Sequence, residues 1–525
     1  MEKEHGGNLL DKETVLKDVF GFESFREPQA EVIDSIFDDE NKGILVVMPT
    51  GGGKSLLYQI PSLLMDGLSI VISPLISLMK DQVDYLKSKG VAAEFYNSSL
   101  LESEKKAIHQ RLIRQELKLL YMAPERFGDQ NFTRALKMTN DIALFAVDEA
   151  HCISTWGHDF RPSYRLLKDA IEFLCPKQVI ALTATATNRV QKDICKQLDI
   201  AKARKFIAGF YRQDLSLSVK TCNSSSKIDH IIKKVSGYIH SGVKTGIVYT
   251  PTRKLADEIS EKLKREDIPA VLYHAGLDDK TRETTQTDWF KNGGIVVATV
   301  AFGMGIDKSD VRFVIHAGMP ASVENYYQEI GRASRDGNGA DCIVYFDTAR
   351  DIGLQKFFIE MSYPPIDDIE SFWEWSCNKA DTNNMLLMTQ KQMEEECKSF
   401  MKGCYTGGCV SKLRENGFIE TIGRGKYKIN ANIDLRKNFD FDKLEEKRRA
   451  KFDVLQEMSE FVGNTRSCRM LQILNYFNDY SRTKECGKCD ICISKMLKSK
   501  PVNNTITTDK TNWKKAIDLA EKRWE

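Results

Sequence analysis

The chain has 525 residues, of which 42% are hydrophobic and 29% charged, with a formal net charge of +2. That length exceeds what one hydrophobic core supports, and two to four domains are expected. The near-neutral balance excludes a globally basic chain, so any nucleic-acid surface has to be a local patch.

The longest apolar runs, such as Gly43 to Met48, have strand length, and none is long enough for a bilayer span. The opening Met1-Glu2-Lys3-Glu4-His5 is polar and lacks the apolar stretch of a signal peptide. An intracellular protein with no membrane partner is expected. Thirteen cysteines, an odd number, argue against a disulfide framework. Cys152, Cys175, Cys195, Cys222 and Cys342 are scattered singly, as buried thiols are.

The first predicted strand, Ile44 to Met48, runs into Pro49-Thr50-Gly51-Gly52-Gly53-Lys54-Ser55. A glycine-rich turn between a strand and a helix lets backbone N–H groups approach phosphate oxygens. Lys54 would reach the β and γ phosphates of ATP, and Ser55 would ligate Mg²⁺. Position 48 is Met where the general pattern has Gly, and the Pro-Thr-Gly-x-Gly-Lys-Ser variant is typical of helicase motors.

Further apolar strands follow at Ser69 to Ser73, Ala93 to Tyr96, Leu119 to Met122, Leu144 to Val147 and Val179 to Leu182. Helical stretches such as Leu75 to Lys89 and Glu102 to Glu116 lie between them. This alternation predicts a parallel sheet covered on both faces. Asp148 and Glu149 stand at the end of one strand, where both reach the C-terminal edge of the sheet. Asp148 would hold Mg²⁺, and Glu149 would act as general base on the attacking water. Just beyond lie Trp156, Phe160 and Arg161, an aromatic pair with a cation that can stack on unpaired bases or pair a phosphate. In isolation such a pair is more often core packing.

The strand–helix alternation restarts with Gly246 to Tyr249, Val271 to Tyr273, Ile295 to Ala298, Phe313 to His316 and Cys342 to Phe346, and with helices Arg253 to Arg265 and Ser322 to Ile330. On a continued helix Gln328, Arg332 and Arg335 would share a face, at i, i+4 and i+7. They read as a solvated cationic stripe or as arginine fingers reaching across an interlobe cleft that ATP closes.

Beyond residue 350 the pattern becomes helical, and after a helix over Val410 to Asn416 it is interrupted by a hairpin, Phe418 to Ile422 and Lys426 to Asn430, around Gly423-Arg424-Gly425. A winged-helix module is one reading, and a compact helical domain carrying a hairpin is the other. Cys486, Cys489 and Cys492 follow Cys468 as C-x₁₇-C-x₂-C-x₂-C, a set suited to tetrahedral Zn²⁺ or, alternatively, to an iron–sulfur cluster. Cys397, Cys404 and Cys409 lack an evident fourth ligand and read as ordinary thiols. Arg482, Lys484 and Lys488 form either a duplex-phosphate patch or solvated surface charge. The tail ends in a short predicted helix, Trp513 to Arg523.

Taken together, these motifs resemble the RecQ-type DNA helicases of helicase superfamily two. The resemblance covers about residues 15–350 and 465–492 and is carried by Phe20-Gly21-Phe22 with Arg26 and Gln29, the phosphate loop, Ser73-Pro74-Leu75, Asp148-Glu149-Ala150-His151, Trp156 to Pro162, Thr183-Ala184-Thr185, Ala301 to Lys308, and Gln328 to Arg335. It implies an α/β fold of two RecA-like lobes of the P-loop NTPase type. Residues 1–208 and 209–350 would form the lobes, 351–440 an inserted helical region, 441–493 a zinc-binding subdomain and 494–525 a tail.

It further implies adenine contacts by Arg26 and Gln29, completion of the ATP site by Gln328, Arg332 and Arg335 with the last as finger, and an aromatic loop that senses single-stranded DNA. The implied activity is ATP-driven 3′-to-5′ movement on single-stranded DNA and unwinding of duplex or forked DNA, in repair and recombination. In the family a winged helix follows the zinc cysteines, and some members carry a further helical domain. Only about thirty residues follow Cys492 here, and about 115 lie between the second lobe and Cys468. Phe418 to Asn430 is therefore expected to take over the duplex contact. An RNA helicase, a non-unwinding duplex translocase and an ATP-gated scaffold are the competing readings. Oligomeric state is left open, a monomer included.

Overall fold

Strands apolar on both faces must be covered on both sides, and the chain builds that arrangement twice. The computed structural model describes residues 11–38, 43–97, 100–139, 141–157, 159–303, 308–401 and 405–499. Readings that fall on His158, on Met304 to Asp307, on Cys404 and on the tail helix lie outside them.

The first sheet contains β1 (Gly43–Val47), β2 (Leu68–Ile72), β3 (Ala93–Tyr96), β4 (Leu119–Met122), β5 (Ile142–Val147), β6 (Gln178–Thr183) and β7 (Arg204–Ile207), all parallel, in the order β3-β4-β2-β5-β6-β1-β7. Every residue of β1, β2, β4, β5 and β6 is buried. Val47 pairs with Thr183 and Val147 with Ala181, so three central strands end nearly level and their following loops share one edge. Helix α1 (Leu56–Leu64) leaves that edge directly after the glycine-rich loop.

The second sheet contains β8 (Leu215–Thr221), β9 (Thr245–Tyr249), β10 (Ala270–Tyr273), β11 (Gly294–Ala298), β12 (Phe313–His316) and β13 (Ala340–Phe346), again all parallel, in the order β10-β11-β9-β12-β13-β8. Two RecA-like lobes result. The chain passes from one sheet to the other between Ile207 and Leu215. Strands β7 and β8 are absent from the sequence reading because both lie at sheet edges, and neither is an uninterrupted apolar run. β7 buries only Phe206, and β8 alternates as Leu-Ser-Leu-Ser-Val.

Helix α2 (Val323–Ile330) is capped by the Ser322 side chain, which accepts from Asn325 N. A helical region follows: α3 (Thr348–Ser362), α4 (Ile366–Lys379), β14 (Met385–Leu387), α5 (Gln390–Cys397), α6 (Thr406–Glu415), β15 (Ile419–Gly423) and β16 (Lys426–Ile429). Its sheet is antiparallel, in the order β14-β16-β15. Ile369, Phe372, Leu386, Met393, Phe418 and Ile429 give this part its own core. Helix α6 begins at Thr406, earlier than expected, because Thr406-Gly407-Gly408 is small for packing and not for a turn. A Cβ at Gly408 would collide with the carbonyl of Met361 on α3.

The long helix α7 (Phe441–Gly463) places Leu444 in that core and Leu455, Met458, Phe461 and Val462 in the core of the second lobe. Helices α8 (Arg469–Tyr476) and α9 (Asp490–Ser499) flank the cysteine cluster. Among the described residues, no helix is long and apolar enough to cross a membrane.

Candidate nucleotide site, aromatic loop and zinc centre

The loop after β1 is shaped by Gly51 and Gly53, both in the left-handed region at φ +80 and +76. Gln29 Nε2 donates to the carbonyls of Gly52 and Gly53 at 3.0 and 3.3 Å, and Arg26 Nη1 donates to that of Gly51 at 3.1 Å. The two residues assigned to adenine by resemblance thus also brace the loop backbone. Lys54 Nζ donates to the carbonyls of Met48 and Pro49 at 3.1 and 3.3 Å. Ser55 occupies the N-cap position of α1, where helix N–H groups suit an anion. Thr50 Oγ1 is buried with no hydrogen-bond partner among the described residues, as a cradle for a polar ligand would leave it.

Asp148 and Glu149 follow β5. Asp148 N donates to Ile72 O, and Glu149 sits at φ +47, a conformation that costs a non-glycine residue energy and aims it into the edge. Burial and the neighbouring Glu149 charge push the Asp148 carboxyl up to about 7, with Lys54 working the other way. His151 Nδ1 lies 3.3 Å from Glu149 Oε2 and 2.9 Å from Thr183 Oγ1, which links the carboxylates to the end of β6.

The aromatic loop is rooted on the same edge. Arg161 donates through Nη1 to Pro74 O at 2.7 Å and through Nε to Asp159 at 3.1 Å, while its backbone N–H donates to Cys152 O. It therefore joins the loop after β2 to the loop after β5, where a nucleic-acid contact alone was expected. Phe160 lies 5.2 Å from the Arg165 guanidinium, and the Trp156 ring is capped by Arg189 at 3.1 Å. Trp156 and Arg189 line an open cleft of about 400 Å³ whose other wall is α7, through Asp442, Glu446, Arg449 and Asp453. The sequence reading passed over that stripe, although its spacing of four, three and four residues is helical.

Across the cleft the expected helical face is not formed. Helix α2 ends at Ile330, so Gln328 projects from the helix while Arg332 and Arg335 come from the turn that follows. The correction has a local cause. Glycine at 331 is a poor helix residue, and Ser334 turns left-handed at φ +54. It also has a tertiary one, because any side chain at 331 would collide with Thr50 Oγ1 of the first lobe.

Both arginines still reach the site region. A Cβ on Gly51 would lie 3.3 Å from the Arg335 side chain, and Arg332, 3% exposed, packs beside the Tyr249 hydroxyl. Sequence reasoning missed Arg212, whose Nη2 donates to Ala333 O at 2.8 Å while its guanidinium pairs with Asp214. No motif marks it.

The sulfurs of Cys468, Cys486, Cys489 and Cys492 all lie within 4.8 Å of one another. Cys468 and Cys489 are 3.9 Å apart, and Cys486 and Cys492 are 4.0 Å apart. Tetrahedral zinc with Zn–S of about 2.3 Å requires sulfurs about 3.8 Å apart, so the four thiols fit the ion. Backbone N–H groups of Arg469, Cys486 and Cys492 point at these sulfurs at 3.3 to 3.4 Å, and hydrogen bonds from Cys486 and Cys489 hold the Cys468 thiol well below its usual value. The buried Arg469 pairs with Asp490, which also accepts from Val219 N on β8, so the centre is riveted to the second lobe. Arg482 of the expected phosphate patch is stacked on Tyr211 at 4.0 Å.

Three family models match in order along the chain: DEAD/DEAH box helicase over residues 26–194, helicase conserved C-terminal domain over 226–337, and RecQ zinc-binding over 426–493. ATP-dependent DNA helicase RecQ of Bacillus subtilis is 47% identical over 356 residues, covering 67% of this chain and 58% of that protein. ATP-dependent DNA helicase Q1 of Mus musculus is 41% identical over 421 residues, covering 74% and 64%. The chain thus spans less than two thirds of the length of either relative.

Among solved structures, S. cerevisiae Dbp5 bound to RNA and ADP BeF3 matches with a TM-score of 0.54 at 16% identity, over 66% of this chain and 90% of that one. The DUF1998 helicase MrfA bound to DNA matches at 0.53 and 15%, over 82% and 65%. These two likenesses bear on the fold of the lobes. With two helicase lobes in order, a four-thiol centre that the RecQ zinc-binding model spans, and 41–47% identity to the RecQ and Q1 helicases, the chain belongs to the RecQ-type helicase family.

Proposed function

We propose that this chain is an ATP-dependent DNA helicase that couples ATP hydrolysis to 3′-to-5′ movement on single-stranded DNA and to duplex unwinding, inside the cell, in repair and recombination. The observation that carries the reading is the meeting of the lobes at the phosphate loop. Gly331 lies against Thr50 and Arg335 against Gly51, so a nucleotide held by the first lobe faces the cations of the second. Arg26, Gln29, Thr50, Gly51, Gly53, Lys54 and Ser55 bind the nucleotide. Ser55 and Asp148 would hold Mg²⁺, for which the half-buried Asp148 and Glu149 carboxylates beside the Lys54 ammonium are a suitable electrostatic setting. The ion supplies charge neutralisation on the phosphates. Glu149 orients and deprotonates water, while Gln328, Arg332 and Arg335 stabilise the charge that develops on the transferring group.

Trp156, Phe160 and Arg161 contact single-stranded DNA, which would compete for Arg161 with Pro74 and Asp159 and thereby reach the carboxylate loop. DNA is preferred over RNA because the relatives at 41–47% identity are named DNA helicases. The division into lobes 1–208 and 209–350, an inserted region 351–440, a zinc subdomain 441–493 and a tail belongs to the same reading. In the inserted region, the order α4-β14-α5-α6-β15-β16 with β16 central supports a winged helix. Because α6 is packed on α3, the β15–β16 hairpin with exposed Ile422, Arg424, Lys426 and Lys428 is its free edge for duplex.

ATP turnover with single-stranded DNA, duplex DNA and RNA, together with unwinding of forks carrying opposite tails, tests the assignment. Stimulation by single-stranded DNA and unwinding from a 3′ tail are expected. Stimulation by RNA alone would replace DNA helicase with RNA helicase. Replacing Arg424, Lys426 and Lys428 with alanine should reduce unwinding and spare DNA-stimulated turnover. If both activities survive unchanged, the hairpin does not contact the duplex.

A further inference from the structure

The segment that joins the lobes is held from one side by a loop lying between two zinc ligands. Gly209 adopts φ +79, and a Cβ there would come within 3.2 Å of Asp479 Oδ2, so a side chain at 209 would be strained and crowded. The next backbone N–H, that of Phe210, donates to Asp479 Oδ2 at 2.7 Å. The Phe210 ring lies flat on Phe477, with centroids 4.1 Å apart and planes 7° apart. Asp479 is 9% exposed, and its second oxygen accepts from Ser481 N at 3.0 Å. Its carboxylate is thus satisfied by backbone on both sides, one side being the interlobe linker.

The linker passes this constraint on to the arginine-bearing turn at two points. The Tyr327 hydroxyl donates to Phe210 O at 3.0 Å, and Tyr327 precedes Gln328 on α2. Arg212, two residues along the linker, donates to Ala333 O between Arg332 and Arg335. One continuous set of contacts therefore runs from Asp479 and Phe477 through Phe210 and Arg212 to all three polar residues on the second lobe's side of the cleft. This set meets the phosphate loop at its far end, where Arg335 lies against Gly51.

We propose that Asp479, with Phe477, is a positioning element for the second lobe's half of the ATP site. It fixes the linker, and through it the placement of Gln328, Arg332 and Arg335 against nucleotide held by the first lobe. This rests on the reading of the chain as an ATP-driven motor. It makes the cysteine-bearing subdomain part of the catalytic geometry as well as of stability. The contacts are backbone-directed, so charge at 479 matters less than an oxygen acceptor of the right reach.

The test compares Asp479→Ala, Asp479→Asn and Phe477→Leu in the full chain. Three quantities are measured: affinity for a non-hydrolysable ATP analogue, kcat with single-stranded DNA at saturating ATP, and the distance distribution between spin labels placed one on each lobe. Asp479→Ala should leave analogue affinity within about twofold, lower kcat about 10-fold and broaden the interlobe distances. Asp479→Asn, which keeps one acceptor, should recover most of kcat, and Phe477→Leu should fall between.

Unchanged kcat and distances in Asp479→Ala would overturn the proposal. So would a kcat loss matched by equal losses of analogue affinity and zinc content, since that would make the residue merely structural. Phe477→Leu decides the matter if Asp479→Ala fails to fold, because unaltered distances and kcat there overturn the proposal equally. Absence of nucleotide turnover in the unsubstituted protein would refute the motor reading itself, a result distinct from all of these.

Discussion

The two sides of the ATP cleft are built in different ways. On the first lobe, strand β1, the glycine turn and α1 are consecutive, so local backbone geometry sets where Lys54 and Ser55 lie. Asp148 and Glu149 are placed almost as locally, by the end of β5. On the second lobe nothing comparable exists. Helix α2 stops before Arg332, and the turn beyond it is held by Arg212 from the linker, by Tyr249 from β9 and by the lobe-one surface at Thr50. On the proposed reading, the contrast teaches that nucleotide capture is encoded by neighbouring residues, whereas turnover depends on contacts between segments distant in sequence, and is the part open to adjustment from outside the site.

Arg335→Ala should show the difference most strongly. A loss of about 10³-fold or more in kcat is expected, with nucleotide affinity nearly unchanged; steady-state kinetics beside analogue titration checks both, and a large affinity loss would erase the contrast. Lys54→Ala should do the reverse, weakening nucleotide binding while lowering turnover about 10²- to 10³-fold, as analogue titration beside steady-state kinetics will show. Retained turnover in that variant would remove the central assignment.

Arg212→Ala is expected to cost about 10-fold in kcat, in line with loss of a charge-assisted hydrogen bond, and to leave the affinity of the first lobe for analogue intact. A parallel fall in both would show that the linker serves the two sides equally.

The smallest effect concerns the turn beyond Arg335. Hydrogen bonding from Arg312 holds the Asp336 carboxyl at about 2, below its ordinary 3.8. Its folded pKa is depressed, so the contribution to stability is present above about pH 4 and is lost as pH falls towards 2. Asp336→Asn should lower stability at neutral pH by less than about 1 kcal/mol. Thermal melts of the two proteins should converge between about pH 4 and 2, and a constant gap would assign the effect to packing.

Legibility followed the same division. Buried central strands announce themselves as apolar runs, and the phosphate loop, the carboxylate pair and the cysteine spacing are each contiguous or periodic patterns with few alternative uses. Strands β7 and β8 escaped because edge strands need only one apolar face. The expected helical face of Gln328, Arg332 and Arg335 extended a period past a residue, Gly331, whose neighbour is Thr50 of the other lobe. Arg161 was read as a nucleic-acid contact, and its further place between Pro74 and Asp159 left no mark in the sequence. The stripe of α7 opposite Trp156 could have been found from its spacing, but which surface it faces could not.

By itself, then, the sequence determined the α/β architecture, the phosphate loop with its carboxylates, and the four thiols, because each is a short-range pattern in which chain neighbours supply the geometry. Only the tertiary structure decided where Arg332 and Arg335 stand, which helix walls the aromatic loop, and that Asp479 grips the linker at Phe210. Those placements depend on the packing of distant segments, and a hydrogen bond spanning 269 positions leaves no period in the chain to read.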